Sequence, residues 1–441
     1  MIQGFSGGLL NRELIYQTDL PSFQRDFASL KTLDHGTGPN ITFTRASDAT
    51  YFDANGVLQT ATSGTPRFDH DPADGGKSLG LLIEESRTNS IRNSQAGGAT
   101  NGVIGSGGAF PTYWGQNGLA NNVSGEVIGT GTENGMAYVD IKISGTPSAT
   151  ASVTLRTENT NHVVGANAQT WTHSAYVKLQ AGSLANTVVR IGVQGRDASG
   201  AIVSGETTQN DITPTGSALA QQRYSATRTM ANAGVERVMP YLLVTYTSGQ
   251  AIDLTLRIAA PQLEQGAFPT SYIPTTNAAA TRSADFARVT PISGFYNQSE
   301  GSVFAEFSKF QMVTNSKVFL FFDPLNAGRY AGFENDGGTP TTNRFIVQND
   351  AGSTVANISF TSAAANTIYR NAGGYALDNF NAAQNGTLGS QDNSGTPASS
   401  LTHVGIGCLP GSGNFPLNGH IRKIAYWPKR LSNTLLQQLT T

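Results

Sequence analysis

QLEQGAFPTSYIPTTNAAATRSAD, residues 262–285, interrupts a strand-rich sequence with prolines at Pro269 and Pro274. Proline has no backbone N–H and a fixed φ, so neither a helix nor a central strand continues freely through it. Strand-like segments precede this stretch, and a second set follows it. The stretch therefore predicts the end of one domain, with a linker over residues 276–292 before the next.

The composition favours strands and turns over long surface helices. The chain has 441 residues, which exceeds one typical domain, and it contains 50 glycines while only 13% of its residues are charged. Ser, Thr, Asn and Ala fill much of the rest, a mixture that is typical of short strands joined by many turns. We therefore expect an all-β protein with more than one domain.

Short segments of alternating polarity recur on both sides of the proline-rich stretch. In YVDIKISG, for example, Val139, Ile141 and Ile143 alternate with polar neighbours, which is the period of a strand with one buried face. Evenly spaced strands of this kind are typical of sandwiches and jelly rolls. We predict two β-sandwich (jelly-roll) domains in series, over residues 89–275 and 293–441.

An N-terminal segment and a hairpin module precede these domains. Residues 1–40 are predicted to form a leader that either packs on the next domain or docks to another chain, with a short helix suggested by Phe23, Phe27 and Leu30. Residues 41–88 are predicted to pack on the following domain. Within them, DANG at residues 53–56 predicts a β-hairpin from about Tyr51 to Thr60, because Asn-Gly tolerates positive φ.

The C-terminal end is predicted to form a strand followed by a short helix. HIRKIAYW alternates like a strand, Pro428 ends it, and LSNTLLQQL predicts a short helix with Ser432 as its N-cap. We expect Trp427 to close the end of the last sandwich. Trp171, in an earlier strand, is likewise expected in the core.

The net charge and the cysteine content limit which partners and covalent links the sequence predicts. A formal net charge of −2 supplies no positive field for nucleic acid or a membrane surface, so neither is an expected partner. The single cysteine, Cys408, has no internal disulfide partner and lies in an apolar strand end. No export signal or bilayer-length apolar run is apparent, which predicts synthesis in a cytoplasm.

Two acidic groups invite a chemical interpretation. Glu84 and Glu85 are adjacent carboxylates, but neighbours on a strand point to opposite faces, so we expect one exposed and one paired carboxylate rather than a catalytic pair. Asp69, His70, Asp71 and Asp74 could suggest a cation site, yet they lack EF-hand spacing, and we expect a solvated turn. No catalytic or metal residue is assigned, and no nucleophile motif is found.

The binding candidates lie in a glycine-rich loop, GGAFPTYWGQNG. Sugar recognition pairs an aromatic face with amides or carboxylates that bind hydroxyls, and Tyr113, Trp114, Gln116 and Asn117 offer that combination. A tryptophan that folds back onto the core is the alternative for Trp114. The loop is the predicted carbohydrate-binding site.

Three long motifs together resemble a known group of proteins. ITFTRASDATYFDANGVLQTATSGTPRFDHDP, GLLIEESRTN and the AAPQLEQGAFPTSYIPTTNAAATRSAD segment resemble modules of tailed-phage head-fibre (head spike) and tail-fibre virion proteins. In that group such motifs lead into and close a carbohydrate-binding-like β-sandwich, so the resemblance implies this module over residues 89–275. The final LNGHIRKIAYWPKRLSNTLLQQL is similar to the close of a laminin-G or concanavalin-A-like jelly roll, which implies that module over residues 293–441. The resemblance covers nearly everything after about residue 26, although the leader has no counterpart and the long β-helix of tailspike depolymerases is missing.

The resemblance implies a structural virion protein that presents lectin-like sandwiches for adhesion to glycans or host surfaces, without enzymatic activity. Its expected partners are other virion proteins (capsid, portal or tail), surface glycans and copies of itself, as a homotrimer. No cofactor is expected, but the resemblance leaves calcium open at Asp323 or Asp336. Two alternatives remain: a phage-borne glycan hydrolase or lyase, and a purely architectural capsid decoration protein.

Overall fold

The computed structural model describes residues 20–159, 161–409 and 415–441. Over these residues the chain is all-β, as predicted, with several antiparallel sheets and two short α-helices. Neither helix is long and apolar enough to cross a membrane. Residues 1–19 of the predicted docking arm lie outside the described residues.

The elements before residue 90 are short. They are β1 (Phe23–Asp26), α1 (Phe27–Leu30), β2 (Thr42–Thr44), β3 (Ala49–Phe52), β4 (Leu58–Ala61), β5 (Phe68–Asp71), β6 (Lys77–Ile83) and β7 (Arg87–Asn89).

The next eleven strands include the longest in the chain, together with one turn of 3-10 helix at Leu219–Gln221. They are β8 (Gly102–Val103), β9 (Gly115–Asn117), β10 (Val123–Glu133), β11 (Met136–Gly145), β12 (Ala151–Arg156), β13 (Thr170–Ser183), β14 (Thr187–Arg196), β15 (Ile202–Ile212), β16 (Arg223–Thr229), β17 (Arg237–Tyr246) and β18 (Ile252–Gln265).

The remaining elements follow the proline-rich stretch. They are β19 (Ala280–Arg282), β20 (Phe286–Val289), β21 (Gly301–Lys309), β22 (Lys317–Asp323), β23 (Asn326–Asn335), β24 (Asn343–Gln348), β25 (Thr354–Phe360), β26 (Tyr369–Ala376), β27 (Asn379–Gln384), β28 (Thr387–Leu388), β29 (His403–Ile406), β30 (Gly419–Trp427) and α2 (Asn433–Leu439).

The first sandwich packs a six-stranded sheet against a five-stranded one. The strand orders are β16-β13-β18-β11-β10-β8 and β15-β14-β17-β12-β9. Alternate side chains of both sheets, such as Ile141, Leu155, Ile191 and Leu256, are buried in one cluster between them. Burial of an aliphatic side chain stabilises a fold by roughly 1.5–3 kcal/mol, so this shared core holds the two sheets together.

The second sandwich packs an eight-stranded sheet against a seven-stranded one. The eight-stranded sheet runs β28-β27-β26-β21-β30-β6-β5, with β1 also paired to β30, and the seven-stranded sheet runs β2-β20-β29-β22-β23-β24-β25. Its core is rich in aromatic rings, among them Phe319, Phe321, Tyr375 and Tyr426. Tyr296 stacks on Phe321 with 4.4 Å between ring centroids.

The N-terminal strands belong to this second sandwich, which the sequence prediction missed. Strands β1 and β6 pair with β30, and β2 pairs with β20. The first sandwich is therefore inserted between two parts of the second, rather than followed by it in series. The predicted linker, residues 276–292, also contributes strands β19 and β20. Pairing between strands more than 200 residues apart leaves no local signal in the sequence.

The predicted hairpin is confirmed. Strands β3 and β4 pair from Ala49–Ala61 to Phe52–Leu58. Gly56 has φ 68°, and Asp53 Oδ1 accepts hydrogen bonds from the backbone N–H groups of Asn55 and Val57. Gly56 therefore adopts the left-handed conformation that this turn requires, and the Asp53 side chain fixes the turn backbone through its two hydrogen bonds. Phe52 packs with Met136 and Tyr176 of the first sandwich, so the hairpin bridges the two domains.

Both ends of the described chain follow the sequence pattern in part. The predicted N-terminal helix is only one turn, because Phe23 lies in strand β1 and Phe27 begins α1. At the C-terminus, β30 and α2 are confirmed, and Ser432 Oγ accepts a hydrogen bond from the Leu435 N–H. Trp427 is buried beside Leu431 and Leu436, as predicted.

Candidate functional site

Trp114 does not form a ligand platform. The residue is 8% exposed and packs in the core of the first sandwich, and its Nε1 donates to the carbonyl of Asn93 at 2.8 Å. A buried indole with a satisfied N–H has no face left for a sugar. The structure therefore places Trp114 in the core, which was the alternative expected for this residue.

The other three residues of that loop do not converge. The Arg92 guanidinium covers the Tyr113 ring at 3.7 Å from its centroid. Gln116 and Asn117 lie on β9, where alternation points them to opposite faces, and Gln116 Oε1 accepts from the Leu119 N–H at 3.2 Å. Only Asn117 is exposed. The structure gathers no site from this loop, although sugar binding at Tyr113, Gln116 and Asn117 stays a prediction.

A buried cluster of charges lies where the chain crosses between the two sandwiches. Asp285 pairs with Arg45 at 3.1 Å and with Arg67 at 2.5 Å. Glu84 pairs with Arg67 at 2.8 Å and with Arg282 at 2.9 Å. We call these five residues the junction cluster. All five side chains are at most 1% exposed, so the cluster is sealed from any ligand.

The junction cluster fixes the charge state of Glu84. Burial alone would raise the pKa of this carboxyl, but Arg282, Arg67 and hydrogen bonds from Ser271 outweigh burial and lower the pKa to about 2. Glu84 is thus a structural carboxylate. Its neighbour Glu85 points the other way and pairs with the buried Arg87, so the expected opposite faces are observed and both carboxylates are paired.

Of the acidic residues at 69–74, Asp69 contacts distant parts of the chain, and Asp71 and Asp74 belong to a local turn. Asp69 Oδ1 accepts from the Phe52 N–H at 2.8 Å, and its Oδ2 accepts from His420 Nε2 at 2.9 Å. Asp71 Oδ1 accepts from the Ala73 N–H within the turn. Asp69 therefore joins the hairpin to the last strand, while Asp71 and Asp74 form the expected turn.

The two calcium candidates are engaged by their own loops. Asp323 accepts hydrogen bonds from the Leu325 N–H and from Asn326 Nδ2. Asp336 accepts from two backbone N–H groups and from Arg344 Nη1 at 2.6 Å. Among the described residues no group of three or more His, Cys, Asp or Glu side chains could hold a metal ion.

A cleft of about 430 Å³ opens between the two sandwiches. The hairpin supplies Tyr51, the end of β5 supplies Asp71, the first sandwich supplies Arg223, and the second supplies Phe310 and Asn366. Each of these five side chains is partly or fully exposed. The cleft thus combines two accessible aromatic rings with an acid, an amide and a guanidinium.

The walls of the cleft are held by specific contacts. His420, fixed by Asp69, packs edge-on against Phe310 with 5.2 Å between ring centroids. Arg223 Nη2 donates to Ser174 Oγ at 3.0 Å, and the guanidinium lies 5.5 Å from the Tyr176 ring centroid. Within the described part of the chain, no carboxylate forms an ion pair with Arg223. Its charge is therefore available to a ligand in the cleft.

This cleft was not predicted from the sequence. Its residues come from the hairpin, from both sandwiches and from the segment around Phe268 and Ser271, and they meet only because the first sandwich is inserted in the second. One signal was present. Tyr51, Asp71 and Ser271 all lie within the long motifs that carry the resemblance to fibre proteins.

Comparison with known proteins yields distant structural similarity only. No family model and no curated protein match the sequence. The CBM40 module of Ruminococcus gnavus IT-sialidase, bound to α2,6-sialyllactose, is 12% identical over 33% of this chain and 85% of its own, with a TM-score of 0.29. Trypanosoma rangeli sialidase, as its covalent intermediate with 2,3-difluorosialic acid, is 10% identical over 91% and 77% of the two chains, with a TM-score of 0.28.

A structure of promiscuous carbohydrate-binding modules from the β-sandwich superfamily is also similar. It is 11% identical over 51% of this chain and 85% of its own, with a TM-score of 0.27. The similarity is to carbohydrate-binding modules and to the β-domains of sialidases. At these TM-scores it carries no inference about ligand or activity.

Proposed function

We propose that this chain is a non-enzymatic adhesion protein that binds a glycan in the cleft between its two sandwiches. The observation that carries the proposal is the pairing of two accessible rings, Tyr51 and Phe310, with Asp71, Asn366 and Arg223 in one concave site. Aromatic faces bind the apolar side of a sugar ring, and the polar groups bind its hydroxyls.

The cleft is suited to a ligand of a few sugar residues. Its volume of about 430 Å³ lies within the range of roughly 300–1,000 Å³ typical of small-ligand sites. Most of its walls are rigid parts of strands or of turns that hydrogen bonds hold in place. A preformed site of this kind loses little conformational entropy when it binds a ligand.

The virion setting is proposed on the resemblance to tailed-phage fibre and spike proteins. In that setting the chain assembles with capsid, portal or tail proteins and with copies of itself, as a trimer, in the virion. Cryo-electron microscopy of intact particles tests this. Density for the chain at a vertex, capsid face or tail supports the proposal, while its absence from purified particles would overturn it.

A glycan array tests the binding function. We expect the wild-type chain to bind a subset of surface glycans and the Tyr51→Ala/Phe310→Ala double variant to lose that binding. Phe415→Ala, which removes an exposed ring outside the cleft, is the matched control and should bind as the wild type does. No bound glycan, or equal binding by the double variant, would contradict the proposal and favour the architectural decoration protein.

A glycan hydrolase or lyase is the second candidate, since two carboxylates, Asp69 and Asp71, line the same cleft. Glycosidases use a pair of carboxylates that flank the scissile bond. Asp69, however, is engaged on both oxygens by Phe52 and His420.

Incubation of an array-positive oligosaccharide with the chain, followed by mass spectrometry, separates the two functions. Recovery of the intact sugar is the result we expect, and cleavage that Asp71→Asn abolishes would establish the enzyme.

A further inference from the structure

The outer face of the five-stranded sheet carries an uncompensated pair of like charges. Arg196 on β14 and Arg237 on β17 are direct cross-strand partners, so their side chains lie on the same face. Both are half-buried. Like charges at directly opposed positions destabilise a sheet.

The protein itself offers these guanidiniums only neutral acceptors. Arg196 donates from Nη1 to the Gly200 carbonyl at 2.6 Å and from Nη2 to Gln194 Oε1 at 2.7 Å. Arg237 donates from Nη1 to the Glu236 carbonyl at 2.8 Å. The Nε atoms of both are buried without a hydrogen-bond partner, and in the described ranges neither side chain forms an ion pair with a carboxylate.

The nearest acids in sequence do not neutralise the pair. Asp197 Oδ1 accepts from the Ser199 N–H, the Ser199 hydroxyl and the Ala201 N–H, which commits it to its own turn. Glu236 is exposed and precedes β17. Tyr241 lies four residues after Arg237 on β17, so the two side chains point to the same face. Arg156 on β12 is the cross-strand partner of Tyr241, and it therefore adds a third positive charge to this face. Burial and the neighbouring Arg156 lower the pKa of Arg196.

We propose that Arg196, Arg237 and Arg156 form a second binding site, on the outer face of the five-stranded sheet, for a carboxylate or sulfate group of an acidic polysaccharide. The planar fork of arginine matches both anions and binds them with two parallel hydrogen bonds. An anion between Arg196 and Arg237 would offset their repulsion and accept hydrogen bonds from their terminal Nη groups. Nucleic acid fits less well, because the formal net charge is −2 and the cationic patch is small.

This site deepens the proposed adhesion function, on which the choice of a polysaccharide as partner rests. It extends that function to a second surface, away from the cleft. A fibre that bound one polymer at two sites would gain avidity through effective concentration without new contacts at either site. The partner would then carry acidic groups at intervals along a sugar chain.

The test is a calorimetric titration with three polymers: oligogalacturonate, which carries carboxylates, dextran sulfate oligomers, and neutral dextran. We expect binding of at least one anionic polymer and a loss of about tenfold or more in affinity in the Arg196→Gln/Arg237→Gln double variant, equivalent to about 1.4 kcal/mol. Binding should also weaken as salt is raised. Affinity for one anionic polymer alone identifies carboxylate or sulfate as the group that binds.

Arg190→Gln is the matched control, because Arg190 lies on β14 on the same face but already pairs with Asp211 at 2.6 Å. Its affinity should stay near that of the wild type. Equal losses in the control and the double variant, unchanged affinity in the double variant, or equal binding of neutral dextran would each overturn the inference. Phe310→Ala separates the two sites: it should spare anionic binding here even if the cleft proposal fails.

Discussion

Arg67 Nη2 lies 2.5 Å from Asp285 Oδ2, and both side chains are fully buried although 218 residues separate them in the chain. Asp285 also pairs with Arg45, and Glu84 joins Arg67 to Arg282. The junction cluster therefore ties the segments that enter the first sandwich to those that leave it. It fixes the geometry on which the cleft depends.

Asp285→Asn tests this role. The amide cannot neutralise Arg45 and Arg67, so the buried Arg45 loses its counter-charge and Arg67 keeps only its pair with Glu84. We expect the free energy of unfolding to fall by about 3–5 kcal/mol, the usual cost of breaking a buried pair. Urea unfolding followed by tryptophan fluorescence measures it.

Asp253→Asn is the control for that variant, because its pair with Lys142 at 3.2 Å is solvent-exposed. Exposed pairs contribute roughly 0–1 kcal/mol, so this variant should unfold near the wild-type midpoint. A loss for Asp285→Asn no larger than that for Asp253→Asn would show that the junction cluster does not hold the domains.

The lowered pKa of Glu84 predicts that the free energy of unfolding falls at acid pH. Its folded pKa of about 2 lies below the ordinary 4.5, so the unfolded chain takes up the proton first as pH falls. The stability from this carboxylate is present above about pH 4.5 and is lost as pH falls towards 2, by about 3 kcal/mol. Urea titrations at several pH values should show this slope. Glu84→Gln should flatten it, whereas the half-exposed Glu85→Gln should keep it.

His173 predicts a second, separate pH window. The ring is fully buried between the sheets of the first sandwich, and burial lowers its pKa to about 4, against the opposing hydrogen bond with the Gly192 carbonyl. The folded chain therefore keeps this ring neutral where the unfolded chain protonates it. Stability should fall as pH drops from 6.5 to 4, and His173→Gln should remove that part of the decline. An unchanged slope in the variant would contradict this.

Cys408 offers a probe of unfolding. Its thiol is 2% exposed, and burial raises its pKa to about 12, so little thiolate exists at neutral pH. A thiol reagent such as dithionitrobenzoate should label the native chain only as fast as it unfolds. Labelling at the rate of a free thiol, without loss of circular dichroism, would show that the strand end around Cys408 opens locally.

Local features were predictable from the sequence, and long-range features were not. The turn after Asp53 and the capped helix at Ser432 depend on neighbours a few residues away, so their chemistry is legible in the chain. The pairing of β6 with β30 and the meeting of Arg45 with Asp285 depend on residues hundreds of positions apart. The prolines of the proline-rich stretch follow β18, the last strand of the first sandwich, but the linker predicted after them contributes strands β19 and β20.

The same difference between local and long-range features applies to the candidate binding sites. The loop around Trp114 has the composition of a sugar site, but its tryptophan is needed to fill the core beneath it. The cleft draws Tyr51 and Phe310 from segments 259 residues apart, which no local pattern brings together. A signal for the junction cluster did exist, since charged residues are sparse in this chain and yet recur in its longest motifs.

A crystal structure of the chain soaked with an array-positive oligosaccharide tests the central claim most directly. We predict density for a sugar ring between Tyr51 and Phe310, with its hydroxyls within hydrogen-bond distance of Asn366, Arg223 or Asp71. Density for an intact sugar in this cleft would support the account. A sugar bound elsewhere with the cleft empty, or a cleaved product in the cleft, would contradict it.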